Sequence, residues 1–171
     1  MSGDVTVQSL RKVALLQAFT DAELSELILL GKTVTFEPYT NVVIEGEASW
    51  GMYFIMKGQV GIFKVNRLSG NVYDVGQLQE GSFFGEMSLV DSQPRSATVQ
   101  SLTDCRLFLI DKAGFQKMVN SSTELKLRFL DSCIQQLVGR LRSLNDDYVV
   151  SQYQLWQKAL ALGSKNGKDA A

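Results

Sequence analysis

Gly85-Glu86 and Arg95 are the residues of this 171-residue chain whose types and spacing can do chemistry. They lie in Phe83-Phe84-Gly85-Glu86-Met87-Ser88-Leu89-Val90-Asp91-Ser92-Gln93-Pro94-Arg95-Ser96-Ala97-Thr98-Val99, where an apolar strand end meets a glycine followed at once by a carboxylate. Gly85 allows a backbone conformation or a close approach that a Cβ would forbid. A turn of helix starting there points free N–H groups outward and makes a natural anion site. Arg95 can meet a phosphate with its planar fork of donors. Glu86 accepts a hydrogen bond from a hydroxyl but repels phosphate. The pair suits a ligand with an anionic and a hydroxylated end, such as a sugar phosphate. The plainer alternative is a surface ion pair worth under about 1 kcal/mol.

Composition narrows the chemistry. The chain has no histidine, which removes the commonest general base, the histidine-dependent triads and most catalytic zinc sites. Cys105 and Cys133 stand far apart without metal-ligand spacing and read as buried thiols of a reducing compartment. A net charge of −1, with acidic residues spread along the chain, gives no support for wholesale nucleic-acid binding. No apolar run reaches the roughly 18–20 residues of a spanning helix. Met1-Ser2-Gly3-Asp4-Val5 lacks the features of a signal peptide, so a cytoplasmic protein is expected.

The elements that must position these residues follow from periodicity. Residues 8–30 read as a pair of short helices. Leu10, Val13, Ala14 and Leu16 form the first apolar face, Thr20-Asp21-Ala22-Glu23 a capping box, and Gly31 a C-cap. From 32 to 111 the pattern changes to short β-rich runs: 33–36, 41–45, 52–56, 59–65, 72–78, 97–102 and 105–110. Turn signals separate them, and Ser69-Gly70-Asn71 reads as a hairpin link. Only 84–93 inside this region reads as neither strand nor tight turn, so the Gly-Glu segment is an insertion in a β scaffold.

From Phe115 the period is helical again. Leu130, Ile134, Leu137, Leu141, Leu144 and Tyr148 alternate steps of four and three, an a/d seam suited to a homodimer or to packing on the β scaffold. A helix is expected over about 122–145 and a further one to about Leu162, followed by a polar end. The fold class is therefore α+β. It is an antiparallel, jelly-roll-like β-roll of about eight strands, flanked by N-terminal helices and a long C-terminal helix.

Two helices, a β-roll, a Gly-Glu…Arg insertion and a long helix resemble the cyclic nucleotide-binding domain of catabolite activator proteins, cyclic-AMP-dependent kinase regulatory subunits and nucleotide-gated channels. The resemblance covers roughly residues 10–145 and is most specific at Phe84–Leu89 and Pro94–Val99. The segment 83–99 looks like the family's phosphate-binding cassette. Glu45-Gly46-Glu47 and Tyr53-Phe54-Ile55-Met56-Lys57-Gly58-Gln59-Val60 are similar to its glycine turns. On this resemblance 1–145 is a cyclic nucleotide-binding domain and 146–171 a helical extension with a polar tail.

The resemblance implies that Arg95 holds the exocyclic phosphate and Glu86 the ribose 2′-hydroxyl. Gly85, Met87, Ser88 and Leu89 would complete the seat, with backbone amides of Gly85, Ser88 and Leu89 cupping phosphate and sugar. Ser96 or Ala97 would add a contact, Ile62, Val75 and Leu78 would line the base side, and Arg140 on the long helix would meet the purine. Ser96 after the arginine leans to cyclic AMP, with cyclic GMP the alternative. Ala48-Ser49-Trp50-Gly51 departs from the family, which often has an aspartate in this turn.

The expected function is a cyclic nucleotide sensor that signals through an unidentified effector protein or its dimer helix. The rival is a scaffold on a roll that no longer binds nucleotide. Catalysis is not expected, because phosphodiester hydrolysis calls for metal ligands or an acid/base pair that the residues near Arg95 lack. Residues 146–171 are too few for a helix-turn-helix domain with its own core, so direct DNA binding is not expected either.

Overall fold

The computed structural model describes residues 5–87 and 93–166, with side chains as far as 160. The chain opens with α1 (Val7–Leu10), a single 3₁₀ turn (Ala14–Leu16) and α2 (Asp21–Leu30). The capping box forms as its sequence predicts. Thr20 Oγ1 accepts the Glu23 N–H at 3.3 Å, and a Glu23 carboxylate oxygen accepts the Thr20 N–H at 2.7 Å. Gly31 is the C-cap expected, its N–H donating to the Leu27 carbonyl; its backbone is extended, with φ −114°, and it begins the first strand. Space explains the glycine there, since a Cβ would run into the Phe108 ring and lie 2.8 Å from the Leu109 carbonyl oxygen.

Eight strands follow: β1 (Gly31–Phe36), β2 (Asn41–Val43), β3 (Gly51–Lys57), β4 (Gln59–Val65), β5 (Val72–Gln79), β6 (Phe83–Phe84), β7 (Thr98–Ser101) and β8 (Cys105–Asp111). They form two four-stranded antiparallel sheets, in the orders β1-β8-β3-β6 and β2-β7-β4-β5. Val43, Tyr53, Ile55, Val60, Phe84, Val99, Leu107 and Leu109 meet as one buried cluster drawn from both sheets. Burying such side chains stabilises by about 1.5–3 kcal/mol each. In β3, Met52 and Phe54 on the alternate face are buried too, which is why that strand reads as a continuous apolar run rather than an alternating one.

Helix α3 (Lys112–Ser121) is capped by Asp111, whose side chain accepts the Gly114 N–H at 2.7 Å. Helix α4 spans Thr123–Asn166. Phe129 near its start sits edge-on to Phe115, at 4.9 Å, and to Phe19, at 6.4 Å. Arg128 pairs with Glu23, so the capping residue of α2 also ties down the root of α4.

The chain divides into two compact units, 1–132 and 133–171, the second being the remainder of α4 and the tail. The sequence pattern reads a break at Asn145-Asp146-Asp147, but the helix continues through it. Asn and Asp cost only fractions of a kcal/mol in a helix interior (about 0.7 at most), and neither Pro nor Gly stands there to stop it. Ile134, Leu137, Leu141, Leu144 and Tyr148 along this helix are all exposed, as is Leu130 at its root. No helix among the described residues is long and apolar enough to cross a membrane.

Candidate functional site

The cassette starts from a strand only two residues long. Phe84 pairs with Tyr53 and Phe83 with Phe54, and the Phe84 and Tyr53 rings stack at 5.0 Å and 11°. Gly85 then turns the chain with φ +87°, in the left-handed region that favours glycine. A Cβ there would enter the Arg95 guanidinium and lie 2.9 Å from the Gly51 carbonyl oxygen. Gly85 is therefore required both for its backbone angle and for the arginine behind it.

Glu86 and Arg95 are each only 6% exposed. One Arg95 terminal nitrogen donates to the Gly51 carbonyl at 2.7 Å and the other to the Gly85 carbonyl at 3.4 Å. The guanidinium lies over the Tyr53 ring, 5.8 Å from its centroid, in cation–π range. Burial pulls Arg95 below its ordinary pKa, while Tyr53 and Glu86 act in the opposite direction. Burial likewise raises the Tyr53 phenol, against the opposing pull of Arg95.

The arginine's backbone is fixed by a second turn. Arg95 N–H donates to the Glu47 carbonyl and its own carbonyl accepts the Gly46 N–H, both at 2.9 Å, with Gly46 at φ +85°. One step back, Glu45 N–H donates to Thr98 Oγ1 at 3.0 Å. The Glu45-Gly46-Glu47 turn, visible in the sequence as a glycine turn, is the clamp on the cassette's exit. On its other side Lys64 reaches the Ser96 carbonyl and, at 3.0 Å, Glu45. Glu45 also accepts the Val65 N–H at 3.0 Å; that bond first, and Lys64 second, hold its carboxyl below the usual carboxylate range.

Of the residues predicted from sequence, Gly85, Glu86, Met87, Arg95 and Ser96 come together, with Ser96 Oγ 3.7 Å from Met87 Sδ. Ala97 is half-buried beside them in the chain. Ser88 and Leu89 lie outside the described residues. Ile62 and Leu78 are partly buried against the inter-sheet cluster. Val75 is about half exposed, left unpaired where the ladder shifts from Ile62–Gly76 to Phe63–Asp74. Arg140 lies on α4, in the second unit.

Sequence reasoning missed Tyr53, the Gly51 carbonyl and Lys64. Gly51 occupies the turn that lacks the family's aspartate, and there a main-chain oxygen receives the guanidinium. Nothing local marks any of the three. Their involvement depends on strand register.

A buried carboxylate and a buried guanidinium thus stand beside a glycine turn. The chain matches the cyclic nucleotide-binding domain over residues 33–122, more than half its length, and belongs to that family. A cyclic-AMP-dependent protein kinase regulatory subunit of Colletotrichum orbiculare is 28% identical over 110 residues, 64% of this chain and 27% of that one. A cyclic nucleotide-gated potassium channel of Mesorhizobium japonicum is 30% identical over 129 residues, 75% of this chain and 34% of the channel. The chain thus spans about a quarter to a third of these relatives.

Among solved structures, the regulatory domain of Toxoplasma gondii PKA, co-crystallised with cAMP, aligns at TM-score 0.62 and 26% identity, covering 69% of this chain and 45% of that one. A cyclic nucleotide-binding domain from Methylobacillus flagellatus shares the fold at TM-score 0.71 and 20% identity, covering 80% and 76%. The family is a regulatory binding domain rather than a catalytic one.

Proposed function

We propose that this domain binds cyclic AMP at the Gly85–Arg95 cassette and acts as a regulatory sensor. The observation that carries this reading is the burial of Glu86 and Arg95 side by side. Among the described residues, the other buried polar side chain is Ser101, which is satisfied by the Glu37 and Thr40 carbonyls. Burying a charge is costly unless something compensates it. Arg95 already bonds the Gly51 and Gly85 carbonyls and feels the Glu86 charge. A phosphate on Arg95 and a ribose hydroxyl on Glu86 would add to these contacts at a seat the fold already holds away from water. Backbone amides at Gly85, Ser88 and Leu89 complete the proposed phosphate seat.

Signalling follows from differential contact. The phosphate interacts with the closed cassette and favours the state in which the cassette and the helices after Asp111 are drawn together. Output passes to an effector protein or through a homodimer built on Leu130, Ile134, Leu137, Leu141, Leu144 and Tyr148. The exposure of this regular apolar stripe supports the second route. The ligand is bound and released unchanged.

The test is a melting-temperature panel with cyclic AMP, cyclic GMP and cyclic dinucleotides, followed by calorimetry on whichever shifts. Cyclic AMP is expected to give the largest rise, and a second incubation should return it without AMP. A panel in which no cyclic nucleotide moves the midpoint sinks the reading.

A further inference from the structure

We propose that Lys64 is a positioning residue for the phosphate seat: clasped by Glu45, it sets the Arg95–Ser96 backbone by bonding the Ser96 carbonyl. The inference rests on the cyclic nucleotide reading and names how that site is held in shape.

Three segments meet at this one ion pair. Lys64 is on β4, Glu45 precedes the Gly46 turn, and Ser96 is the residue through which the cassette leaves Arg95 for β7. The ammonium donates to the Ser96 carbonyl and to one Glu45 oxygen at 3.0 Å. The second Glu45 oxygen accepts the Val65 N–H at 3.0 Å, and the Glu45 N–H bonds Thr98 Oγ1 at 3.0 Å. Register brings the parts there, since Phe63 pairs with Thr98 and the next residue of β4 falls beside the cassette's exit.

Two physical roles are open to a lysine so placed, and charge bookkeeping separates them. As a second cation it would draw phosphate by its field. As a cross-link it would act through geometry. The Glu45 carboxylate 3.0 Å away cancels most of its field at any distance beyond the pair. The Glu45 side chain is mostly covered and spends its other oxygen on the backbone, so it is a fixed anchor rather than a passing surface partner. With the Lys64 side chain about half exposed, such a pair contributes little to global stability. Its worth lies in where it holds Ser96, because small misplacements of a binding group cost affinity steeply.

The two roles predict opposite signs for one substitution. Glu45→Gln keeps shape and removes the neutralising charge. If Lys64 acted as a free cation, E45Q would tighten cyclic AMP binding; as a positioning clasp, it should weaken binding several-fold. Calorimetry on the full chain is expected to show Lys64→Met binding cyclic AMP about tenfold more weakly, with Lys64→Arg within about threefold of the parent. The double variant E45Q/K64M should be no weaker than K64M, because the two residues act as one unit.

The melting temperature without nucleotide should barely move in any of these. A fall in affinity without a fall in melting temperature separates positioning from general support. Parent-like affinity in K64M, or tighter binding in E45Q, overturns the proposal while Arg95→Ala still loses the ligand. If Arg95→Ala binds like the parent, the phosphate reading itself fails. Should K64M prove poorly folded, the sign of the E45Q effect still decides.

Discussion

The cassette and the outer length of α4 invert the usual distribution of residue types in opposite ways. At the cassette, a carboxylate and a guanidinium are buried. Along α4, leucines, isoleucine, valines, tyrosines and Trp156 stand exposed. Both arrangements are unfavourable for an isolated chain, one through desolvated charge and the other through apolar surface left in water. A bound ligand or a second helix would offset each cost further. The chemistry differs accordingly: buried charge calls for a small polar ligand with matching charge and hydroxyls, and a long apolar stripe calls for another helix. On the function proposed above, recognition belongs to the cassette in unit 1–132, and assembly to a stripe that starts at Leu130 and runs along unit 133–171.

The sharpest way to break the first half of this contrast is Arg95→Ala. It removes the buried cation together with its bonds to Gly51 and Gly85, and calorimetry should show cyclic AMP affinity falling by roughly 100-fold or more, in line with truncating one partner of a buried charged contact. The apolar core is untouched, so circular dichroism should be unchanged. Gly85→Val is next. At φ +87°, with Arg95 and Gly51 where a Cβ would go, a branched side chain must strain the backbone or displace the guanidinium. The expected outcome is a loss of about 1–3 kcal/mol in urea unfolding together with tenfold or weaker binding.

The second half breaks separately. Leu137→Glu with Leu141→Glu places charge in the middle of the seam. Light scattering should show the parent as a dimer and the double variant shifted to monomer, each lost apolar contact being worth about 1.5–3 kcal/mol. If the contrast is sound, the monomer still binds cyclic AMP. A parent that is monomeric at all concentrations would count against the assembly role and leave the recognition role standing.

These two regions were not equally readable. The roll is written in local pattern, and β4 was expected at the residues it occupies, Gln59–Val65, because alternation and flanking turns mark it. Strand β6 is two residues long and carries no period of its own; it exists because Phe83 and Phe84 have β3 to pair with. In the site, Gly85, Glu86 and Arg95 could be found because they belong to one continuous motif. Their supports could not: Gly51 stands 44 positions from Arg95, and Lys64 lies 32 from Ser96. Such partners meet through sheet register, which sequence spacing does not reveal. The seam was plain as a period, but its end was not, because Asn145-Asp146-Asp147 resembles a stop signal while costing the helix little.

The smallest expected effect sharpens the contrast by asking what the buried cation does to its neighbour. Tyr53 is buried under the Arg95 guanidinium and stacked on Phe84. Burial raises its phenol above the usual value of 10.0, and Arg95 opposes the rise. A folded-state pKa above the unfolded one means the native state holds its proton longer. Stability is then intact below the unfolded value and is lost as pH climbs through it toward the folded one. Urea unfolding between about pH 9 and pH 11 should therefore show falling stability, and Tyr53→Phe should remove Tyr53's share of that fall. Taking away Arg95 removes the opposing pull, so in Arg95→Ala the Tyr53 phenol should ionise at still higher pH, followed by phenolate absorbance against a Tyr53→Phe/Arg95→Ala background. A phenol that titrates at the same pH with and without Arg95 would mean that the guanidinium's charge is not felt by the ring it covers. The cation–π contact would then have no energetic part in holding the arginine ready for phosphate.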